Sequence, residues 1–234
     1  MHFNIINIKM QKVISFSLWG DKPIYLVGAI RNAIIAKHMY PDFTCWFYIH
    51  KHTVPLDVID KLNQLDNTRI IYKHDLSKPR TWRFEPIDDP NVQVMLSRDT
   101  DTQILLREKL AVDEWLNSDK ALHIMRDHPH HSYQIQAGMF GVKKTNVKIS
   151  WTECIIKYCV ENTFDYDQVF LKDVIYPMYT SRMIHASFNR FEGDECLEFP
   201  IPHDEDDYRF VGEYVYEDES RNAQHTQIIR SAQA

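Results

Sequence analysis

Strand-like and helix-like segments take turns over the first third of the chain, and that alternation narrows the available folds more than any other feature. Lys12-Val13-Ile14-Ser15-Phe16-Ser17-Leu18-Trp19-Gly20 alternates apolar and polar residues, then stops at the turn chemistry of Gly20-Asp21-Lys22-Pro23. From Pro23 to Met39 the apolar residues Tyr25, Leu26, Ala29, Ile30, Ala33 and Ile34 form a helical stripe that ends before Tyr40-Pro41-Asp42. Thr44 to Ile49 is aromatic and β-rich, Pro55 to Leu65 is a helix opened by proline, and Arg69 to Tyr72 is a third short strand. Strand, helix, strand, helix, strand implies a parallel Rossmann-like arrangement with the first strand central. With 234 residues and 44% hydrophobic content, the chain has material for one sizeable α/β domain. No Gly-x-Gly-x-x-Gly follows the first strand, so an ordinary dinucleotide site is not supported.

The next strand carries chemistry at its end. Val92-Gln93-Val94-Met95-Leu96-Ser97-Arg98 is a short apolar run that stops at Asp99-Thr100-Asp101. Ligands in open α/β sheets bind outside the carboxyl ends of strands, and residues two apart in an extended chain share a side. Asp99 and Asp101 can therefore converge on one divalent cation, which points to a phosphorylated ligand. The competing account is a polar turn capping the helix that follows. Net charge is -6, with no basic block to meet a nucleic-acid backbone, so a bound cation would have to neutralise any diphosphate locally. Cys45, Cys154, Cys159 and Cys196 follow no zinc spacing and are too few for a disulfide scaffold, which favours a reducing compartment. No stretch approaches the roughly 20 apolar residues of a membrane span. The start of the chain lacks a signal-peptide pattern, so the expectation is a cytoplasmic protein.

Elsewhere the patterns are individually weaker. Ser77 to Phe84 gathers Lys78, Arg80 and Arg83 with two aromatics, either a solvated loop or a place from which arginines reach a diphosphate. Ile104 to Leu116 is a helix, Lys120 to Met125 a strand, and Asp127 opens a loop holding His128, His130 and His131. With no cysteine or glutamate at ligand spacing, that loop suits a polar pocket better than zinc. Gly138 and Gly141 in the run Gln134 to Val142 mark close approach of a ligand or backbone. Trp151 to Val160 is amphipathic, and Asp165 or Asp167 could cap a helix running to Ile175. Ile184 to Phe188 precedes a loop, His203 to Asp207 reads as solvated, and Phe210 to Tyr216 as a late edge strand. The expected division is residues 12–216 as the domain, 1–11 as an N-terminal extension and 217–234 as a mobile tail.

In order along the chain, these landmarks resemble GT-A nucleotide-sugar glycosyltransferases. The similarity is to a group in bacteria and large DNA viruses that includes the N-terminal domain of a chlorella-virus enzyme. It rests on Ser15 to Gly20, Val27 to Ala33, Arg98 to Asp101, Ala111 to Leu116, His123 to Pro129, Gly138 to Val142 and Asp167 to Leu171. One departure is Ala137, where a second glycine is expected before Gly138. The resemblance implies a single α/β domain with a Rossmann-like mixed sheet flanked by helices. It also implies Mn²⁺ or Mg²⁺ on Asp99 and Asp101, with His185 in the position of a late third ligand. Ser15, Ser17, Leu18, Trp19 and Arg31 would hold the nucleotide, usually uridine. Arg98, Gly138 and the pair Asp167-Gln168 would face the sugar; from the Ser77 to Phe84 cluster, Arg83 is the candidate to meet the donor's phosphates.

The chemistry asks for such residues. Breaking an anomeric carbon–oxygen bond leaves a nucleoside diphosphate, and attack by an acceptor hydroxyl calls for a carboxylate base if the centre inverts. Asp167 is the first choice for that base and Asp127 the second; retention would leave Asp167 as a stabiliser. The implied partners are a UDP-sugar and a glycan or glycoprotein acceptor. Two rivals differ in class. A haloacid-dehalogenase-like phosphatase would use Asp99 and Asp101 with Asp206-Asp207 as a second acidic pair, although Gln103 stands where that fold wants Thr or Val. A non-catalytic nucleotide-sugar binding module would keep the pocket without turnover.

Overall fold

The computed structural model describes residues 10–144, 149–159 and 164–233. Residues 1–9, most of the expected N-terminal extension, and Val160, the expected end of a helix, lie outside them.

The alternating segments fold as their periods require. Strand β1 (Gln11–Leu18), helix α1 (Pro23–Met39), β2 (Phe43–His50), α2 (Leu56–Asn63) and β3 (Thr68–Lys73) form a parallel unit, with β1 beside β2 and β2 beside β3. The chain then crosses back, and β4 (Val92–Arg98) pairs parallel to β1 on its other side. That reversal creates a topological switch point between the carboxyl ends of β1 and β4, where open α/β sheets hold their ligands.

Beyond β4 the sheet becomes mixed. After α3 (Leu106–Leu116) come β5 (Leu122–Arg126) and β6 (Met139–Lys143), and β6 runs antiparallel between β4 and β5. Gly141 permits this insertion, because a Cβ there would stand 2.7 Å from Leu96 and 2.9 Å from the Trp115 ring. Helix α4 (Trp151–Tyr158) follows. Then α5 (Tyr166–Phe170) passes through a π-helical turn, Leu171–Ile175, into the short α6 (Tyr176–Met178). Strands β7 (Arg182–Ala186) and β8 (Cys196–Leu197) complete the order β3-β2-β1-β4-β6-β5-β7-β8. The expected mixed sheet flanked by helices is therefore present, in one continuous sheet.

Two apolar cores sandwich it. One face meets α1, α2 and α3 through residues such as Ile14, Phe16, Phe47, Leu62 and Trp115, with Phe16 stacked on Phe47 at 4.7 Å. The other meets Phe84, Phe140, Trp151 and Phe170, which pack ring against ring. Burial on both faces explains why β1 is covered from Val13 to Leu18 although its sequence alternates.

Two sequence expectations change here, and one alternative left open is decided. Pro79–Asp88 is not a solvated loop but a 3₁₀ segment with Thr81, Trp82, Arg83 and Phe84 buried. Phe210 to Tyr216 adds no edge strand; it crosses above the end of β4 through single bridges, Thr102 with Tyr214 and Val215 with Arg221. The stretch assigned to a mobile tail contains helix α7 (Ala223–Gln233), anchored by the fully buried Ile229.

Candidate active site

The loop after β4 is clamped from several directions. On one side α1 comes so close at Gly28 that a Cβ there would lie 1.9 Å from the Thr100 carbonyl oxygen. On another, Gly138 leaves room for the Asp99 carboxylate, whose Oδ2 would stand 1.9 Å from an added Cβ. Asn32, buried in α1, donates to Thr102 O at 2.6 Å and accepts from Ile104 N at 3.0 Å. Thr102 Oγ1 donates to Asp99 O at 3.1 Å, and Val215 N to Asp101 O at 2.9 Å. The loop is thus positioned by helix, sheet and C-terminal segment together, the support a metal or phosphate site needs.

Around it run three joined cavities. The first, about 310 Å³, lies at the end of β1 and is lined by Ser17 to Lys22, Tyr25, Arg80 and Thr100. It shares Ser17, Tyr25, Arg80 and Thr100 with a central cavity of about 220 Å³ that also holds Arg83, Asp99, Asp101, Asp165, Asp167 and Gln168. The third, about 320 Å³, joins the centre at Asp99, Gln168 and Tyr214 and extends to the histidine loop.

Charge in the centre is unbalanced, four carboxylates standing against two arginines. Arg83 is buried and bridges two of the acids, Asp99 through Nη1 and Asp167 through Nη2 at 3.1 Å. Its backbone N–H donates to Ser17 Oγ at 3.0 Å. Arg80, more open, sits 3.7 Å from Asp165 and 4.0 Å from Asp167. Burial, then the charge of Asp99, pushes the Asp101 carboxyl up to about 7. Burial likewise raises Asp167; Arg83 opposes the shift and Asp99 adds to it, and Asp167 Oδ1 is buried with no hydrogen-bond partner.

Such a centre fits a divalent cation in its donor chemistry: hard oxygens, one of them on a buried acid whose charge the protein leaves largely uncompensated. Among the described residues no cluster of three or more His, Cys, Asp or Glu side chains could hold a metal. Asp99 and Asp101 would therefore share the ion with oxygens from the ligand.

The remaining candidates separate into those the cleft contains and those it does not. Ser17, Trp19, Gly138 and Gln168 line it, and Leu18 lends its backbone while its side chain enters the core. Gln168 Oε1 accepts from Ala137 N at 3.1 Å, so the residue in place of a glycine is pinned beside Gly138. Ser15 lies fully buried within the sheet beside Ser97 and does not reach the cleft. Arg31 does not face a nucleotide; it donates to Val215 O at 2.8 Å and Tyr216 O at 3.0 Å, holding the C-terminal segment down. Arg83 is committed to ion pairs rather than open to phosphates, which leaves Arg80 as the accessible guanidinium.

Arg98 points away from any sugar. Successive residues of a strand face opposite sides, so while Asp99 enters the cleft, Arg98 pairs beneath with Glu108 at 2.6 Å and donates to Phe140 O at 2.9 Å. His185 cannot be the late metal ligand in this arrangement. Its Nδ1 contacts His123 Nε2 at 2.9 Å and its Nε2 contacts Glu114 at 3.2 Å, deep between β5, β7 and α3. Asp127 is fully buried and accepts from Arg107 twice at 2.9 Å, Ser187 Oγ at 2.6 Å and Val211 N at 2.9 Å, with His203 Nε2 3.0 Å away. Burial alone would raise its carboxyl, but His203 and Arg107 outweigh that and hold it near about 2. It anchors the C-terminal segment and lines none of the three cavities. Nor does either expected aspartate cap α5; Asp165 instead accepts from the Tyr133 hydroxyl at 3.2 Å.

Sequence reasoning missed Tyr25, Thr100 and Tyr214, and it noted Arg80 only as one cation among several. Arg80 was findable from its cluster, but Tyr214 reaches Asp101's neighbourhood across more than a hundred residues and had no local signal.

Fold and cleft together define a mixed-sheet α/β protein with an acidic cleft at its topological switch point. No family model and no curated protein sequence matches the chain. Solved structures similar in overall arrangement include the following three. A glycosyltransferase involved in glycosylating the major capsid protein of PBCV-1 shares 15% identity over 76% of this chain and 81% of its own, with a TM-score of 0.49. A 4-diphosphocytidyl-2C-methyl-D-erythritol synthase from Anaerococcus prevotii shares 14%, over 71% and 84%, at 0.46. An active-site mutant of LgtC shares 13%, over 73% and 71%, at 0.45. The cleft itself, not these likenesses, carries the functional reading.

Proposed function

We propose that the protein is a metal-dependent glycosyltransferase of the GT-A type, moving a sugar from a UDP-linked donor to a hydroxyl of a glycan acceptor. The observation that carries this reading is the acidic centre between two open chambers. A diphosphate would meet four carboxylates and two arginines there, a repulsive encounter unless a cation joins it. Asp99 and Asp101 would hold a Mn²⁺ or Mg²⁺, which would supply Lewis-acid stabilisation to the leaving diphosphate. The chain's own residues do the rest. Trp19 and Tyr25 offer ring surfaces for the base in the first chamber, and Arg80 meets phosphate charge. Arg83 orients Asp99 and Asp167 in one rigid unit. Asp167, with an unpartnered Oδ1 and a raised affinity for protons, takes the acceptor's hydroxyl proton as the new glycosidic bond forms.

The phosphatase reading is weaker because its second acidic pair lies elsewhere. Asp206 and Asp207 line none of the three chambers, and Asp207 faces Arg209 and Arg221. Among the described residues no helix is long and apolar enough to cross a membrane. A cytoplasmic site of action belongs to the same proposal and accords with four free cysteines. Incubation with a panel of UDP-sugars and Mn²⁺, read as released UDP, tests the activity against a generic phosphate-ester assay. Binding without turnover would support the binding-module alternative.

A further inference from the structure

The third chamber is built from parts that the nucleotide and the cation do not need. One wall is the histidine loop after β5, the other the C-terminal segment that arches over β4 and continues into α7. Phe210 packs at a tilt against His128, centroids 4.5 Å apart, and His225 of α7 lies 5.2 Å from the same ring. Tyr214 closes the end next to Asp99 and Gln168. Among the described residues no lysine or arginine lines this space.

Hydrogen bonds hold His128 and His131 in neutral forms. His128 Nδ1 accepts from His130 N at 3.0 Å, so the ring proton is on Nε2, which donates to His225 O at 3.2 Å. His131 Nδ1 accepts from Asp127 N at 2.9 Å, which leaves its proton on Nε2. His225 Nδ1 is buried and has no partner. Burial lowers His128 to about 4 and His131 to about 3, and it lowers His225 as well, so these rings are uncharged at neutral pH. The chamber therefore offers neutral donors and acceptors between two aromatic side chains. It offers no counter-charge for an anion, and its inner end abuts the Asp99 carboxylate.

The geometry points to this chamber as the acceptor subsite, shaped for an uncharged saccharide and walled on one side by the C-terminal segment. The inference rests on the glycosyl-transfer reading and names the acceptor class for that same site. A sugar's hydroxyls match imidazole and amide groups, and its C–H face matches an aromatic wall. A carboxylate entering here would lose its hydration without gaining a cation, so discrimination comes from the unpaired charge rather than from shape. The order of the cavities agrees. The acceptor would enter from the end opposite the nucleotide and meet the donor at Asp99, Gln168 and Tyr214, beside Asp167.

Ligand-observed NMR on the full chain, with Mn²⁺ and UDP present at neutral pH, tests this. The probes are the methyl glycosides of glucose, galactose, mannose and fucose, with methyl glucuronide as the anionic comparison. At least one neutral glycoside should bind at least tenfold more tightly than the glucuronide. His130→Lys, at an exposed position of the chamber rim, should raise glucuronide affinity at least tenfold and reverse the preference. Mn²⁺-dependent UDP binding, followed by calorimetry, separates the two levels of the argument. If UDP binds but no neutral glycoside is preferred, or His130→Lys leaves the preference unchanged, the subsite assignment is overturned while the transfer reading stands. If UDP does not bind, both fall.

Discussion

Asp101→Asn should make the metal-free protein more stable and nearly inactive, and the size of the first effect should depend on pH. The wild-type carboxyl is buried and sits beside Asp99, which raises it from its ordinary 3.8 to about 7. A rise of that size is worth roughly 4 kcal/mol as a ceiling, at about 1.4 kcal/mol per pH unit. Because the folded state holds this proton more tightly than the unfolded chain, wild-type stability falls as pH climbs through the window from about 4 to 7. Below that window both states are protonated and no cost is present; above it the full cost is felt. Asparagine has no such charge, so at pH 4.5, near the foot of the window, the variant should exceed the wild type by only about 1 kcal/mol. At pH 8 it should exceed the wild type by up to about 4 kcal/mol, or roughly 8 to 16 °C in melting temperature for a chain of this size. Thermal denaturation in EDTA at both pH values measures the gap. Adding Mn²⁺ with UDP should narrow it, since a ligand at about a hundred times its dissociation constant restores about 2.7 kcal/mol to the wild type alone. Turnover of the variant should fall at least about a hundredfold, because a charged ligand to the cation is lost. A stability gap of the same size at pH 4.5 and pH 8 would refute the reasoning: Asp101 would then carry no charge strain for a cation to relieve.

Further substitutions probe the positioning of the cleft. Gly138→Ala should displace Asp99, whose carboxylate oxygen would stand 1.9 Å from the new Cβ, and weaken Mn²⁺-dependent UDP binding at least about tenfold by calorimetry with the fold retained. Asp127→Asn should leave the buried Arg107 charge uncompensated and cost about 3 kcal/mol or more in urea denaturation. Any residual folded protein of that variant should keep a near-normal rate at saturating substrates, since Asp127 lies outside the chambers. Asp167→Asn should lower the saturated rate by about two orders of magnitude in steady-state kinetics, with UDP binding preserved.

How much of this was legible in advance differs from residue to residue. Two hydrophobic periods located α1 to the residue and β1 to β3 within two residues, because apolar spacing records which side of an element is covered. An apolar run ending in two carboxylates marked the end of β4 as the centre of the cleft for the same local reason. Arg98 shows where local reading could have gone further, since strand alternation already placed it opposite Asp99; the resemblance to a family drew it to the wrong face. His185, Asp127 and Arg31 show where it could not. Each is polar, and only the fold reveals that Glu114, Arg107 and the carbonyls of Val215 and Tyr216 already satisfy them. The C-terminal segment was the largest surprise, its sparse apolar residues suggesting a free tail. It is held instead by contacts distant in sequence: Val211 on Asp127, Val215 on Asp101, His225 on His128 and Ile229 in the interior. Periodicity specifies the buried face of a strand or helix, but it does not name what covers that face. Choosing Tyr214 and His225 as walls of the cleft required the three-dimensional packing of residues about a hundred positions apart.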